Sequence, residues 1–258
     1  MSSPLFLLPG AATLITGSTR GIGLAIAREY GRAGARLAIS SENADDCDRV
    51  VAQLREDGFE ARSFPADVSD PAAVQALSAS VLEAFGRLDA LVCNAGVAPH
   101  MGPLSTATEA DWELTMAVNL RSAVWLTNAL IPPMAAQGGG VVVLMASIAG
   151  LRGNKALGLY GMSKAALAQL ARNLAVEWGP ANVRVNTISP GVIETDFAKP
   201  LTERSEVMGK RLALTPLRRA GTPEEVAGLA LLLASKAGGF ITGQNIVVDG
   251  GTMISDGN

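Results

Sequence analysis

Short apolar runs rich in β-branched residues alternate with segments of helical periodicity, and this alternation constrains the fold most strongly. The runs lie at residues 12–16, 37–40, 61–65, 88–94, 141–147, 183–189 and 246–248. Runs this short and this apolar suit strands that are covered on both faces. The sequence therefore predicts a doubly wound α/β fold, with a parallel seven-stranded sheet and helices on both faces.

The helix starts and the absence of linkers bear on domain organisation. Ser69 or Asp70 precedes Pro71, and Thr222 precedes Pro223 with Glu225 in the capping-box position. No linker, low-complexity tract or internal repeat divides the 258 residues. A length of 258 residues does not by itself require two domains. We expect one domain over residues 1–258.

Composition excludes several classes of function. The formal net charge of −3 gives no basic field for nucleic acid or anionic lipid. The longest apolar runs, at 141–146 and 229–234, fall well short of the ~20 residues that span a bilayer. The start of the chain has no basic segment and does not resemble a secretory signal. Only Cys47 and Cys93 are present, without metal-type spacing, which predicts a reducing cytoplasmic location and no metal site.

The glycine-rich run TGSTRGIG at residues 16–23 follows the first strand and opens a helix near Ile22. Glycines there let the backbone turn tightly and approach a pyrophosphate, which the free N–H groups of the helix start stabilise. The spacing differs from Gly-x-Gly-x-x-Gly, and no Gly-Lys-Ser/Thr follows as in a Walker loop. The glycines alone would indicate a ligand-free turn, but their place directly after the first strand favours nucleotide binding.

Tyr160 and Lys164 stand four residues apart and therefore share one face of a helix. Alone, such a pair is more often a surface pair than a catalytic one. Beside a nucleotide-binding loop, it indicates proton transfer next to a hydride carrier. Before desolvation and screening, an ammonium ~4 Å away at an effective dielectric near 20 favours phenolate by about 4 kcal/mol, or roughly three pK units. We therefore predict Tyr160 as the catalytic acid/base, tuned by Lys164.

Further motifs follow in order along the chain: Asn94-Ala95-Gly96, Asn119, Ser147 and Pro190-Gly191-Val192-Ile193-Glu194-Thr195. With Thr-Gly-x-x-x-Gly-x-Gly and Tyr-x-x-x-Lys, they resemble the short-chain dehydrogenase/reductase family over about residues 12–251. The resemblance implies a Rossmann fold and NAD(P)-dependent interconversion of a small carbonyl and an alcohol. It also implies that Ser147 holds the substrate oxygen, Lys164 binds the nicotinamide ribose and Asn119 supports a water. Cys93 replaces an Asn of the family pattern, and we expect little effect on chemistry.

The resemblance also assigns a set of cofactor contacts from the glycine run to the Pro-Gly segment. These are Gly17, Ser18, Arg20, Gly21, Ile22, Gly23, Ser40, Ser41, Glu42, Asp67, Val68, Asn94, Ala95, Gly96, Tyr160, Lys164, Pro190, Gly191, Ile193 and Thr195.

The end of the second strand decides between the two nicotinamide cofactors. Ser41 stands where NAD-dependent members carry Asp, and Arg20 can meet a phosphate with paired donors. Glu42 would repel that phosphate if it pointed inward. The Ser-Glu-Asn segment at 41–43 resembles NADPH-using 3-oxoacyl carrier-protein reductases. We expect NADP, with NAD as the alternative.

The substrate is less constrained than the cofactor. The resemblance places a substrate lid at residues 192–217, where Phe197, Leu201, Met208, Leu212 and Leu214 suit a partly apolar helical cover or simply pack on the sheet. Arg152, between Ser147 and Tyr160, either attracts an acidic substrate or is solvated.

Three further alternatives bear on function and assembly. Carrier-protein reductases of the family are basic around 131–138 and 179–182, which are uncharged here, so a free small carbonyl or alcohol ranks above a carrier protein. A non-catalytic NADP-sensing protein would carry a damaged catalytic set, whereas this set is intact. A dehalogenating relative would lack the glycine loop. The helices of Trp125 and Trp178 resemble the dimer surfaces of the family, which implies a homotetramer.

Overall fold

The computed structural model of the protein describes residues 4–198 and 205–255. Within them, seven parallel strands form one sheet in the order β3-β2-β1-β4-β5-β6-β7. The strands are β1 (Ala12–Thr16), β2 (Arg36–Ser40), β3 (Ala61–Ser63), β4 (Ala90–Cys93), β5 (Gly140–Met145), β6 (Val183–Pro190) and β7 (Asn245–Val248). The predicted parallel seven-stranded sheet is confirmed.

Helices connect the strands and cover the two faces of the sheet. They are α1 (Gly21–Arg32), α2 (Ala44–Glu56), α3 (Pro71–Phe85), α4 (Glu109–Met116), α5 (Ser122–Ala136), α6 (Gly158–Trp178), α7 (Ser205–Leu214) and α8 (Pro223–Ala234). A π-helical turn, Ala117–Arg121, joins α4 to α5. In the part of the chain that the structure describes, no helix is long and apolar enough to cross a membrane.

Two apolar cores lie on opposite faces of the sheet because successive strand side chains point to opposite sides. One contains Leu14, Leu91 and Val142 with residues of α3, α5 and α6. The other contains Ile15 and Val143 with residues of α1, α2 and α8. The strands are thus buried on both faces, which explains their nearly continuous apolar sequences.

The carboxyl edge of the sheet gathers the predicted motifs. β1 pairs with β2 on one side and with β4 on the other, so the strand order reverses there. Ligands of open α/β sheets bind in the crevice at such a reversal. The glycine loop (residues 17–23) follows β1, and residues 94–96 follow β4 at this edge. Ser147 comes two residues after β5 ends.

Three strands are shorter than predicted, and the fifth of the sheet ends at Met145 instead of residue 147. The third strand ends at Ser63 instead of residue 65, where proline has no N–H for the ladder. The fourth begins at Ala90 instead of residue 88, and the Asp89 carboxylate before it accepts a hydrogen bond from Ala12 N at 2.8 Å. Asp70, rather than Ser69, is the N-cap of α3 and accepts from Ala72 N at 2.9 Å.

Candidate active site

The glycine loop has a backbone shape that side chains would obstruct. Gly17 and Gly21 have φ of 62° and 54°, in the left-handed region that favours glycine. A Cβ on Gly23 would lie 2.2 Å from the Gly17 carbonyl oxygen. Arg20, the N-cap of α1, makes no side-chain capping bond. Its side chain therefore does not occupy the first N–H groups of the helix, and these groups can bind an anion. The loop fits the pyrophosphate of a dinucleotide.

Asn94 fixes the glycine loop to the neighbouring strand. Its amide Nδ2 donates to the Thr16 and Gly17 carbonyls at 3.0 and 2.9 Å. Thr16 Oγ1 in turn accepts from the backbone N–H groups of Asn94 and Ala95 at 3.1 and 3.2 Å. The Asn94 side chain is therefore engaged in shaping the loop. Sequence reasoning missed Thr16, although its position before the first glycine was a signal.

Ser18 and Ser40 connect the first two strands near the expected adenosine end of the site. Ser18 Oγ donates to Ile15 O at 2.7 Å and accepts from Ser40 N at 3.0 Å, so this hydroxyl is used within the protein. The buried Ser40 Oγ has no hydrogen-bond partner among the described residues. A buried hydroxyl left open at the carboxyl end of β2 suits contact with a bound nucleotide.

Arg20 and Glu42 lie beside this end of the site. Arg20 Nη2 is 3.9 Å from Glu42 Oε1, and the two side chains are 68% and 64% exposed, so the pair is weak. Ser41 Oγ donates to Glu42 Oε2 at 2.9 Å. Asp67 is exposed and accepts from Ser69 N at 2.8 Å, while Val68 is buried.

Tyr160 and Lys164 project from α6 toward the ends of β4 and β5. Lys164 Nζ lies 5.4 Å from the centroid of the Tyr160 ring and donates to the Met145 carbonyl at 2.8 Å. The lysine is only 3% exposed. Its ammonium therefore faces the ring and a strand carbonyl in a largely dry environment. Ser147 hydrogen-bonds to the side chain of Tyr160, and its Oγ also accepts from Ala149 N at 3.1 Å.

Burial shifts the pKa values of both Tyr160 and Lys164. Burial raises the pKa of Tyr160 to about 12, and the hydrogen bond with Ser147 offsets only part of this rise. Burial likewise lowers the pKa of Lys164 to about 8. Burial, which the sequence-based figure for Lys164 leaves out, therefore dominates the pKa of Tyr160. Desolvation penalises both charged forms, and the ammonium faces the ring and a carbonyl.

Asn119 lies in the π-helical turn and is fully engaged with the protein. Its Oδ1 accepts from Val97 N at 2.8 Å, and its Nδ2 donates to Val97 O and Ser163 Oγ at 2.9 and 3.0 Å. A Cβ on Gly96 would lie 3.2 Å from Lys164 Nζ and 3.5 Å from Asn119 Oδ1. Asn119 thus orders the loop beside Lys164. Sequence reasoning missed Ser163, whose hydroxyl completes this network.

The Pro-Gly loop (residues 190–195) and the segment after it border the glycine loop and Tyr160. Thr195 Cγ2 lies 3.3 Å from where a Cβ on Gly21 would stand. The Phe197 ring centroid is 5.8 Å from that of Tyr160. Met208 and Leu212 line a cavity of about 830 Å³, whereas Leu214 is largely exposed. The predicted lid residue Leu201 lies outside the described residues.

Two segments used above to rank substrates lie away from the site. Residues 131–138 lead into β5, and 179–182 lead into β6, so both lie at the amino edge of the sheet. Asn182 Nδ2 donates to Gly138 O at 2.9 Å, which joins the two segments there. Their lack of charge says nothing about the mouth of the site, where Arg152 is exposed.

His100 and the cysteines lie outside any metal cluster. His100 Nε2 is 2.9 Å from Thr106 Oγ1 in the loop after β4. Both Cys47 and Cys93 are free and buried. Across residues 4–198 and 205–255, no group of three His, Cys, Asp or Glu side chains could hold a metal ion.

Comparison with known proteins agrees with this arrangement. A family model described as "Enoyl-(Acyl carrier protein) reductase" matches residues 16–253. The chain is 39% identical to "Dehydrogenase/reductase SDR family member 4" of Oryctolagus cuniculus over 244 residues, covering 95% of this chain and 94% of the relative. The chain belongs to the short-chain dehydrogenase/reductase family.

Two solved structures show what such a fold holds in other proteins. A 7α-hydroxysteroid dehydrogenase complexed with NADH and 7-oxo glycochenodeoxycholic acid has a TM-score of 0.93 and 35% identity, covering 97% of each chain. A gluconate 5-dehydrogenase from Burkholderia cenocepacia in complex with NADP and tartrate has a TM-score of 0.94 and 31% identity, covering 98% of each chain. This chain is an NAD(P)-dependent oxidoreductase of alcohol and carbonyl groups.

Proposed function

We propose that this chain interconverts a free small ketone and a secondary alcohol, with Tyr160 transferring the proton at the substrate oxygen. The convergence of Tyr160, Lys164 and Ser147 at the carboxyl edge carries the proposal. Lys164 Nζ faces the Tyr160 ring at 5.4 Å, and Ser147 bonds to the Tyr160 side chain. The glycine loop that fits a dinucleotide lies at the same edge.

The residues have separate tasks in the proposed reaction. A nicotinamide dinucleotide held by the glycine loop and the Pro-Gly loop would supply the hydride chemistry at the substrate carbon. In reduction, the Tyr160 phenol gives its proton to the substrate oxygen while Ser147 hydrogen-bonds to that oxygen. A phenol whose pKa is raised to about 12 is protonated at neutral pH and therefore available as the acid. The Lys164 ammonium stabilises the phenolate that remains.

Asn119 supports this arrangement from behind. Its amide hydrogen-bonds to Val97 and Ser163, and Gly96 packs between Asn119 and Lys164, where an added Cβ would lie 3.2 Å from Lys164 Nζ. We assign Asn119 the role of fixing the position of the Lys164 ammonium, besides the water-supporting role that the family resemblance implies.

Replacing Tyr160 with Phe tests the proposal directly. The variant should bind NADPH with unchanged affinity by fluorescence and lose about 10²- to 10⁴-fold in kcat, because only the transferable proton is removed. Near-normal turnover in Tyr160→Phe would refute the assignment. If the wild type binds NADPH but reduces nothing in a broad panel of ketones, the non-catalytic sensing function is correct instead.

For the cofactor, we propose NADP in preference to NAD. Arg20 is largely exposed and meets Glu42 only at 3.9 Å, so its guanidinium can turn toward a ribose phosphate. Ser41 draws Glu42 through a 2.9 Å hydrogen bond, and Ser40 offers a free buried hydroxyl. NAD remains the alternative if Glu42 instead accepts the ribose hydroxyls.

The ratio of kcat/KM for NADPH to that for NADH measures this choice. Arg20→Ala should lower the ratio about tenfold or more, because it removes a charged donor from the phosphate. Glu42→Gln should raise the ratio, because it removes a repelling charge. A wild-type preference for NADH that Arg20→Ala leaves unchanged would establish NAD as the cofactor.

Reduction of a 3-oxoacyl group on a carrier protein is the second candidate. The description of the matching family model favours a carrier-protein substrate, and exposed Arg152 could meet an acidic partner at the mouth. Acetoacetyl carrier protein should be turned over more slowly than the best free ketone if the first proposal holds. Equal or faster turnover would reverse the order of the two.

For assembly and location, we propose a cytoplasmic homotetramer built on the helices α5 and α6. Val176 on α6 is 82% exposed, and Trp125 on α5 is also exposed, so each of these helices presents a large apolar side chain to solvent. Light scattering should give four times the 26.5 kDa chain mass. Val176→Asp should dissociate the assembly, and a monomeric wild type would contradict the proposal.

A further inference from the structure

Backbone hydrogen bonds hold the lid segment near each of its two ends. At its start, Ile193 forms a bridge with Gly221, in which Glu194 N donates to Gly221 O and Gly221 N to Val192 O, both at 2.9 Å. At its far end, Leu217 N donates to Gly250 O at 3.1 Å. The lid helix α7 therefore leads into a fixed connection with the turn after β7.

That turn, residues 249–253, is built around the Asp249 carboxylate. Its two oxygens accept from Gly251 N at 2.8 Å and Met253 N at 2.7 Å. Thr252 Oγ1 donates to the Asp249 carbonyl at 2.7 Å. Gly250 and Gly251 have φ of 64° and 88°, which ordinary side chains disfavour. Four groups thus cooperate to give this short turn one conformation.

The turn contacts both the lid helix and the Pro-Gly loop. Thr252 Oγ1 lies 3.0 Å from Thr215 Oγ1, and Thr215, which directly follows α7, is buried. Thr215 Oγ1 is also 3.0 Å from the Arg211 carbonyl in the last turn of α7, so its single proton is donated either to Thr252 Oγ1 or to this carbonyl. On the other side, a Cβ on Gly191 would lie 2.8 Å from both Cα and Cβ of Asp249.

We propose that Thr252 is a positioning residue for the hydride reaction: through Thr215 it sets where the lid helix stands relative to the Pro-Gly loop and Tyr160. The proposal rests on the function proposed above. Phe197, near the start of the lid, contacts Tyr160 with a centroid distance of 5.8 Å. Met208 and Leu212 of α7 line one cavity with Gly21 and Thr195. A shift of α7 would therefore alter the space beside the glycine loop and the Pro-Gly loop and weaken substrate binding. Proton transfer by Tyr160 itself would not depend on Thr252.

The test compares Thr252→Val, which keeps the shape and removes the hydroxyl, with Thr252→Ser, which keeps the hydroxyl. Thr252→Val should raise KM for the best ketone of a panel about three- to tenfold, as the loss of a typical hydrogen bond does, with kcat changed less than about twofold. Thr252→Ser should restore KM. Thr215→Val should match Thr252→Val, and the double variant should be no worse than either single one.

A matched control separates positioning from general stability. Thr187 is buried in β6 and donates to Gln244 O at 3.2 Å without touching the lid, so Thr187→Val should lower Tm and leave KM unchanged. If Thr252→Val lowers only Tm, or if Thr252→Ser fails to restore KM, Thr252 has a structural role alone and the proposal is wrong.

Hydrogen exchange distinguishes this proposal from the proposed function. In Thr252→Val with NADPH bound, amides of 205–214 should exchange faster, while those of β1 and β4 do not change. If no ketone is reduced, or if Tyr160→Phe remains active, the proposed function fails. The exchange rates at 205–214 still measure whether Thr252 stabilises the position of α7. Unchanged exchange at 205–214 would overturn the support by Thr252 even in an active enzyme.

Discussion

The two tyrosines of the chain make a natural comparison, because Tyr30 is buried and Tyr160 half-buried, each beside a cation. Tyr30 donates to the Ala230 carbonyl at 3.0 Å, and nearby Arg184 donates to the carbonyls of Leu233, Gly238 and Ile241 at 2.6 to 3.3 Å. Tyr160 instead bonds to Ser147, and Lys164 donates to one carbonyl, that of Met145.

The difference lies in how fully the polar groups are used within the protein. Arg184 donates to one carbonyl in the last turn of α8 and to two carbonyls after it, so this pair holds α8 and the following turn in place. Lys164 has three N–H donors and uses one on a described residue, so its ammonium keeps capacity for a ligand. Burial beside a cation therefore does not mark a catalytic tyrosine, whereas incomplete hydrogen bonding does.

The largest expected effect is on activity, and it separates the Tyr160–Lys164 pair from the Tyr30–Arg184 pair. Lys164→Met should lower kcat/KM about 10²- to 10⁴-fold, because the phenolate of Tyr160 loses its stabilising charge. Tyr30→Phe, which alters the other pair, should leave kcat/KM within about twofold of the wild type, because Tyr30 lies away from the site. Steady-state kinetics with NADPH and a ketone measure both. Equal losses in the two variants would remove the distinction between the pairs.

The next effect is on stability and has the opposite order. Arg184→Met should lower the free energy of unfolding by about 3 kcal/mol, because it leaves three carbonyls without their charged donor. Its kcat should remain close to that of the wild type. Urea unfolding monitored by tryptophan fluorescence provides the free energies. A loss for Lys164→Met that exceeds the loss for Arg184→Met would contradict the structural role of Arg184.

The sequence predicted the sheet and the ordered motifs because both are local properties of the chain. Short apolar strands and the spacing of Tyr160 to Lys164 are visible without tertiary contacts. The protonation states were not predictable in this way, since desolvation of Tyr160 depends on distant segments packed around it. The engagement of Asn119 with Ser163, 44 residues away, is likewise a tertiary result. The amino-edge position of 131–138 required the strand bounds.

A smaller effect concerns pH and has a definite sign. The pKa of Lys164 is about 8 in the folded chain and has its ordinary value of 10.5 in the unfolded chain. The unfolded state therefore binds more protons between these two pH values. The contribution of Lys164 to the free energy of unfolding should therefore rise with pH over 8 to 10, by up to about 3 kcal/mol. Cys47 and Cys93 act oppositely above pH 9, because burial raises the pKa of their thiols from 9.0 to about 11 and about 12, and Tyr160 does so above pH 10. Urea unfolding from pH 7.5 to 10 measures the rise.

Lys164→Met provides the control for this pH dependence. The thiol contributions are the same in both proteins, so the wild-type free energy of unfolding minus that of Lys164→Met should rise between pH 8 and 10. A difference that does not change with pH would leave the Lys164 ammonium unshifted.

The smallest expected effect concerns Cys93, which neighbours Lys164 at the end of β4. Burial raises the pKa of this thiol to about 12, so it is neutral at working pH and adds no charge beside the ammonium. Cys93→Val should therefore keep kcat within about threefold and leave the pH profile of kcat in place, as expected for a packing change of similar volume. A profile displaced by a full pH unit would instead make the thiol a third member of the Tyr160 and Lys164 group.

Cys47, whose thiol pKa is raised to about 11 by burial away from α6, provides the matched control. Cys47→Val should also leave the profile unchanged.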